Sequence, residues 1–301
     1  MKKIGFIGIG VMGKSMAANL MKNGYEVAVY SRTKSKADAL VNDGAVWCDT
    51  VAECAKGRDA VITMVGYPQD VEQVYFGADG ILENADAGTY IIDMTTTSPQ
   101  LSVKIYEQAV SKKLHALDAP VSGGDIGAAN ATLSIMVGGD KDDFDACLKL
   151  FEAMGKNIIH EGGAGAGQHT KMANQIAIAG TVAGVCEAVA YAEKTGLDPQ
   201  LMLKSISAGA AGSWQMNNNG PKMIAGDYAP GFFIKHFIKD MRIAVEEAEA
   251  AGIKLGVLNE VLEMYKSLEK GGFGDLGTQA IVEYYRDDED DGTEPELPDV
   301  E

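Results

Sequence analysis

Short apolar runs alternate with amphipathic segments through the first half of the chain, and then the runs stop. Residues 3–8 (KIGFIG), 26–30 (EVAVY), 60–65 (AVITMV), 90–93 (YIID) and 115–118 (HALD) are the clearest of these runs, followed by 133–137 (LSIMV) and 157–159 (NII), with a weaker one near 45–47. Such runs are too short for helices and continuous enough to be buried on both faces. Helical spacing predicts helices over 34–42, 50–56, 69–75, 99–111 and 141–152 between them. Strand and helix in alternation predict a doubly wound, mainly parallel sheet ending near residue 161.

From Gly162 the pattern changes. Gly162, Gly163, Gly165 and Gly167 lead into a proline-free run. It predicts a helix over about 167–195, which at 1.5 Å per residue is roughly 42 Å long. Between Met172 and Ala192 its only full charge is Glu187, and the rest is mostly Ala, Gly, Val and Ile. A helix apolar nearly all round is expected to be buried. Further helices are expected over 198–207, 213–224, 237–251, 256–270 and 276–286, punctuated by Gly196, Gly209, Gly226, Gly252 and Gly271. The expected organisation is an α/β doubly wound domain over 1–162, then an all-α domain over 163–286. A long buried interdomain helix links them.

The first apolar run ends in Gly8-Ile9-Gly10-Val11-Met12-Gly13 and opens a helical segment. A GxGxxG between strand and helix is the Rossmann-type dinucleotide fingerprint. Its glycines allow a tight turn, close approach to a pyrophosphate, and helix–strand packing. An acid at the end of the second strand would bind the ribose hydroxyls of NAD, but this chain has Ser31-Arg32-Thr33 there. A cation with two hydroxyls suits a 2′-phosphate, so NADP(H) is the expected cofactor, with NAD(H) possible. Met64 and Val65 end the fourth strand where the adenosine half would lie, and Thr96 sits in a hydroxyl-rich turn after the fifth. In open α/β sheets ligands collect at such carboxyl ends. Ser122-Gly123-Gly124 offers consecutive amides to an anion, naturally a carboxylate.

Lys171, Asn174 and Gln175 share one face at the mouth of the long helix. A lysine there must be solvated, paired or used in chemistry. Lys239 and Asp240 stand side by side near the start of a later helix.

Charge and cysteine usage narrow the partners. The formal net charge is −17, and nine of the acids crowd residues 287–301, which read as a disordered acidic tail. With no basic block, nucleic acid and anionic membrane are unexpected partners. Four scattered cysteines and four histidines show no metal-ligand spacing, so free thiols in a reducing, cytoplasmic setting are expected. The apolar heart of the long helix, Ile176 to Cys186, is too short by itself to cross a bilayer.

Four motifs in order, FIGIGVMGKSMAANL, DAPVSGG (118–124), GAGQHTKMANQ (165–175) and Lys239-Asp240, together resemble the β-hydroxyacid dehydrogenase family. That family includes 3-hydroxyisobutyrate dehydrogenases, tartronate semialdehyde reductases and glyoxylate/succinic semialdehyde reductases. The resemblance implies that Lys171 is the catalytic general acid/base. It also implies that Ser122, Gly123, Gly124, Asn174 and Gln175 hold a small carboxylated aldehyde or hydroxyacid, and that Thr96 and Lys239 serve the nicotinamide side. Asp240 lies beside Lys239, and Phe232 would line the substrate pocket, as in the glyoxylate/succinic semialdehyde reductases. Gln175 and Gly277 depart from the family pattern. An imine reductase on the same scaffold usually lacks the lysine, and a 6-phosphogluconate dehydrogenase has more helical length. A non-catalytic NADP-binding sensor would have no use for Lys171, Asn174 and Ser122 together. A homo-oligomer, dimer or tetramer, is expected.

Overall fold

The computed structural model describes residues 1–286, so the acidic segment 287–301, expected to be a solvated tail, lies outside the described residues. The chain forms two compact units, Met1–Ile176 with Lys239–Lys254, and Ala177–Ile238 with the chain from Leu255 onward.

In the first unit nine strands make one sheet: β1 (Lys3–Ile7), β2 (Glu26–Tyr30), β3 (Val46–Trp47), β4 (Ala60–Thr63), β5 (Tyr90–Asp93), β6 (His115–Asp118), β7 (Val121–Ser122), β8 (Leu133–Gly139) and β9 (Gly155–Gly162). The order is β3-β2-β1-β4-β5-β6-β8-β7, with β9 beside β8. The strands from β3 across to β6 are parallel, β8 runs antiparallel to β6 and β7, and β9 is parallel to β8. The 3-2-1-4-5-6 order is that of a dinucleotide-binding sheet. Alternate residues feed two cores. Ile4, Phe6, Val27, Val29, Ile62 and Ile92 join one, while Ile7, Ala28, Val61, Ile91 and Ala116 join the other. Both sheet faces are therefore covered, which is why the strands read as unbroken apolar runs.

Two glycines set how closely the sheet and its first helix (Val11–Lys22) pack. A Cβ on Gly13 would lie 2.0 Å from the Gly8 carbonyl oxygen, and one on Gly8, at φ +103°, would lie 2.2 Å from that of Met64. Farther along this helix the Asn19 side-chain amide donates to the Ala128 carbonyl at 2.7 Å.

The long helix runs Ala166–Thr195; its first turns belong to the first unit and the remainder to the second. The expectation of burial all round is corrected. Met172, Gln175, Ala179, Val182, Cys186 and Val189 are buried, whereas Ala173, Ala177, Thr181, Gly184 and Tyr191 are exposed. Small residues on the exposed face gave the sequence almost no contrast in polarity between faces. The bilayer expectation is corrected too. By length and composition the whole helix could cross a membrane, and half of its most apolar stretch is buried within the protein.

The second unit is helical. Its elements include Pro199–Ile206, Trp214–Asn218, Gly220–Ala225 and Gly256–Lys270, and the helix Ile234–Ala250 begins in it and ends in the first unit. The single helix expected over 213–224 is broken around Asn219, ahead of Pro221, and the expected helix over 276–286 is one 3₁₀ turn (Thr278–Val282) and one α turn, Glu283–Arg286, with a further 3₁₀ turn (Phe273–Asp275) just before it. Side-chain bonds hold that irregular end. Buried Tyr265 donates its hydroxyl to the Thr278 carbonyl at 2.7 Å, and Arg286 pairs with Glu193 at 2.5 Å and Glu283 at 3.0 Å. A short helix, Ile81–Asn84, went unpredicted because one helical turn carries no period.

Gly13→Ala is expected to lower stability by about 2 kcal/mol or more, because backbone must move to admit the methyl. Gly10→Ala, where a Cβ meets nothing within 4 Å and φ is −88°, is expected to cost under about 1 kcal/mol. Urea denaturation of the two variants distinguishes a packing role from a ligand-facing one.

Candidate active site

The fingerprint loop turns from β1 into the first helix with no side-chain cap at Gly10, which leaves that helix's first amides to a ligand. A Cβ on Gly10 would enter open space, so the cradle has room for a phosphate where Gly8 and Gly13 have none. Ile9 is buried, Val11 exposed and Met12 half-buried. Beyond β2, Ser31 is half-buried, and Arg32 and Thr33 are exposed. The Arg32 guanidinium, 75% exposed, reaches the Asp70 carboxylate at 2.9 Å. Met64 and Val65 leave β4 beside the loop, and the Val65 amide donates to the Thr95 hydroxyl at 3.0 Å. These residues fit a dinucleotide.

The turn after β5 is tied at every residue from Thr95 to Thr97. The Thr95 amide donates to Asp93 Oδ1 at 3.0 Å. Gln168, fully buried at the head of the long helix, accepts from the Thr97 amide at 3.0 Å and donates to the Thr95 carbonyl at 2.7 Å. The Thr96 carbonyl accepts from Lys239 Nζ at 2.6 Å. Asp118, paired with Asp93 in the β5–β6 register, accepts the amides of Gly165 (2.7 Å) and Gln168 (2.9 Å). The strand ends and the head of the long helix are thus stitched through Asp93, Asp118 and Gln168, all three missed at the level of sequence. Asp93 gave a signal, an acid closing an apolar strand, and Gln168 gave none.

On the long helix Lys171 is 6% exposed. Its Nζ donates to Gln175 Oε1 at 3.0 Å, one turn on, and Asn174 Nδ2 donates to the same oxygen at 2.7 Å. Gln175 Nε2 donates to Asp240 Oδ2 at 2.6 Å, and Asp240 Oδ1 forms an ion pair with Lys239 Nζ at 2.9 Å. Burial lowers Lys171 to about 8; Asp240 opposes that shift and Lys239 adds to it. One chain of contacts therefore joins Lys171, Asn174, Gln175, Asp240, Lys239 and Thr96, residues drawn from three separate stretches of sequence.

Two predicted groups lie outside that chain. Ser122 ends β7, and the exposed Gly123 and Gly124, at φ +131° and +63°, which only glycine adopts readily, lead into the short helix Gly124–Ala129. Phe232 belongs to the second unit and packs against Phe237, with ring centroids 5.6 Å apart.

Burial holds the Asp93 carboxyl up at about 6 and Asp118 likewise at about 6, with Asp93 pushing Asp118 further in that direction. Asp93 Oδ2 and Ser102 Oγ, both buried and without a hydrogen-bond partner among the described residues, border a small cavity shared with Tyr106 and Asp118.

Comparison with known proteins agrees with this architecture. The model for the NAD-binding domain of 6-phosphogluconate dehydrogenase matches residues 3–163. The model for the NAD-binding region of NADP-dependent 3-hydroxyisobutyrate dehydrogenase matches residues 165–285. An uncharacterized oxidoreductase of Bacillus subtilis, YkwC, is 56% identical over 94% of this chain and 99% of its own. The 2-hydroxy-3-oxopropionate reductase of Escherichia coli is 37% identical over 93% and 96%. The Mycobacterium tuberculosis 3-hydroxyisobutyrate dehydrogenase, solved with L-serine, superposes with a TM-score of 0.87 at 31% identity, covering 95% and 99% of the two chains. A Streptomyces aurantiacus imine reductase shares the fold at a TM-score of 0.65 and 21% identity.

The chain belongs to the β-hydroxyacid dehydrogenase family. It is an NAD(P)-dependent hydroxyacid dehydrogenase that uses a nicotinamide cofactor, and the imine reductases are more distant neighbours.

A carboxyl raised in the folded state stabilises the protein below its unfolded value, and that stability is lost as pH rises through its folded value. For Asp93, moved from 3.8 to about 6, this is worth about 3 kcal/mol, lost between about pH 3 and pH 7. Asp93→Asn keeps Oδ1 as acceptor, so the variant is expected to exceed the parent in stability at pH 7.5 and to match it near pH 3. Denaturation at the two pH values checks this.

Proposed function

We propose that the protein interconverts a small β-hydroxyacid and its semialdehyde, of the 3-hydroxyisobutyrate, tartronate semialdehyde, glyoxylate or succinic semialdehyde type. Lys171 is the proton carrier. The observation that carries this reading is a buried lysine, lowered to about 8, bonded into the same network as the turn that bears Thr96. Residues 1–162 then form the dinucleotide-binding domain and 163–286 the helical substrate and oligomerisation domain.

The bound nicotinamide supplies a hydride for reduction and accepts one in oxidation. The amides of Ser122, Gly123 and Gly124 grip the substrate carboxylate, with Asn174 orienting it. In oxidation the neutral Lys171 amine takes the hydroxyl proton; in reduction its ammonium returns a proton to the oxygen as negative charge builds there. A group near 8 is populated in both forms around neutrality, which suits a reversible reaction. Lys239 fixes the Thr96 backbone. Exposed Tyr191, Leu201, Trp214 and Val257 in the second unit support a homo-oligomer, dimer or tetramer, and four buried free cysteines support a cytoplasmic setting.

Lys171→Ala is expected to lower kcat about 100-fold or more while nicotinamide binding persists. With the parent enzyme, oxidation should rise with pH through about 8, since only the neutral amine accepts a proton. Absorbance at 340 nm across a panel of small carboxylated aldehydes and hydroxyacids measures both, and full turnover by the variant removes Lys171 from the mechanism.

The end of β2 supports NADP(H) as the preferred cofactor. Among the described residues Arg32 meets Asp70 in an exposed ion pair, worth at most about 1 kcal/mol and readily exchanged for a phosphate. Arg32→Ala is expected to erode the NADPH-over-NADH preference in kcat/KM about tenfold or more, and an unaltered ratio would rule Arg32 out as the phosphate ligand.

A further inference from the structure

Gln175 lies between two groups of opposite charge that would otherwise pair. The Lys171 ammonium donates only and the Asp240 carboxylate accepts only, so in the protonated state the orientation of the amide is set: Oε1 toward the lysine at 3.0 Å, Nε2 toward the aspartate at 2.6 Å. All three side chains are buried, at 6%, 1% and 2% exposure. With Asn174 donating to Oε1 as well, that oxygen already serves two donors.

We infer that Gln175 is a positioning residue, a neutral amide that aims the Lys171 amine and keeps the Asp240 carboxylate from pairing with it directly. It acts through Lys171 instead of contacting substrate, and this rests on the proposed role of Lys171. A buried lysine paired directly with a carboxylate stays charged and is a poor base. One amide away, Asp240 stabilises the ammonium only in part, consistent with Lys171 remaining lowered to about 8. The charged groups acting on Lys171 from the helix Ile234–Ala250 are Asp240 and Lys239, with opposite effects. Its own helix carries no acid before Glu187. At the strand ends, Asp93 is bonded to Thr63 and Thr95, and Asp118 to the Gly165 and Gln168 amides. Asp240 is thus the carboxylate from which Lys171 has to be held apart.

The test is a coupling cycle between Gln175→Ala and Asp240→Asn, read by the ¹³Cε shift of Lys171 against pH in the full-length protein without cofactor. A parallel readout is the pH profile of kcat and the value of KM for oxidation. The inference expects Gln175→Ala to raise the Lys171 midpoint by about one pH unit, tenfold in proton affinity. It expects Asp240→Asn to abolish that rise, and the acid limb of kcat to follow the midpoint. An unchanged or lower midpoint in Gln175→Ala, with a raised KM and an unmoved pH profile, makes Gln175 a substrate contact and overturns the inference. Should the alanine variant fail to fold by thermal denaturation, Gln175→Asn keeps the amide but is one methylene too short to span both partners. The same rise is expected there, and its absence is equally fatal. Lys171→Ala separates the two claims. Undiminished turnover in that variant defeats the mechanism, while the ¹³C midpoints still decide the role of Gln175.

Discussion

A buried ammonium has to be compensated, and how this protein compensates Lys171 governs the rest of its site. Full pairing with Asp240 would hold the proton permanently, and no partner at all would leave a desolvated charge costing several kcal/mol. The fold takes neither course. A glutamine amide stands between lysine and aspartate, and a second lysine, Lys239, takes the other carboxylate oxygen at 2.9 Å. The lysine, lowered to about 8, then changes protonation close to neutrality.

That arrangement is useful only if the lysine is held relative to the turn after β5. Gln168 does this with both ends of its amide, and Asp118 with both carboxylate oxygens, so the first turn of the long helix and the Thr95–Thr97 segment form one bonded block. Buried carboxylates near 6 are the cost of building the block from acids at two neighbouring strand ends. Lys239 closes the same block from a third direction through the Thr96 carbonyl.

Much of this was legible before any coordinates. Continuous apolar runs marked strands buried on both sides, because a parallel sheet under two helical layers has no polar face to reveal. Gly8, Gly10 and Gly13 announced a turn where backbone must approach backbone or ligand, and the packing distances at Gly8 and Gly13 give the physical reason. Lys171, Asn174 and Gln175 were visible as one helical face through their spacing alone. The exposed face of the long helix was not, since alanine and glycine look alike whether they face solvent or core.

What the chain determined by itself was local. Period, cap and turn chemistry follow from neighbours a few residues apart, and so do the helix face bearing Lys171 and the glycines after β1. Which distant residues meet was decided by the tertiary structure. No spacing rule connects Gln175 with Asp240, 65 positions later, or Lys239 with Thr96, 143 positions earlier. The direction of the Lys171 shift belongs to that second category, because it depends on burial and on charges brought close only by folding.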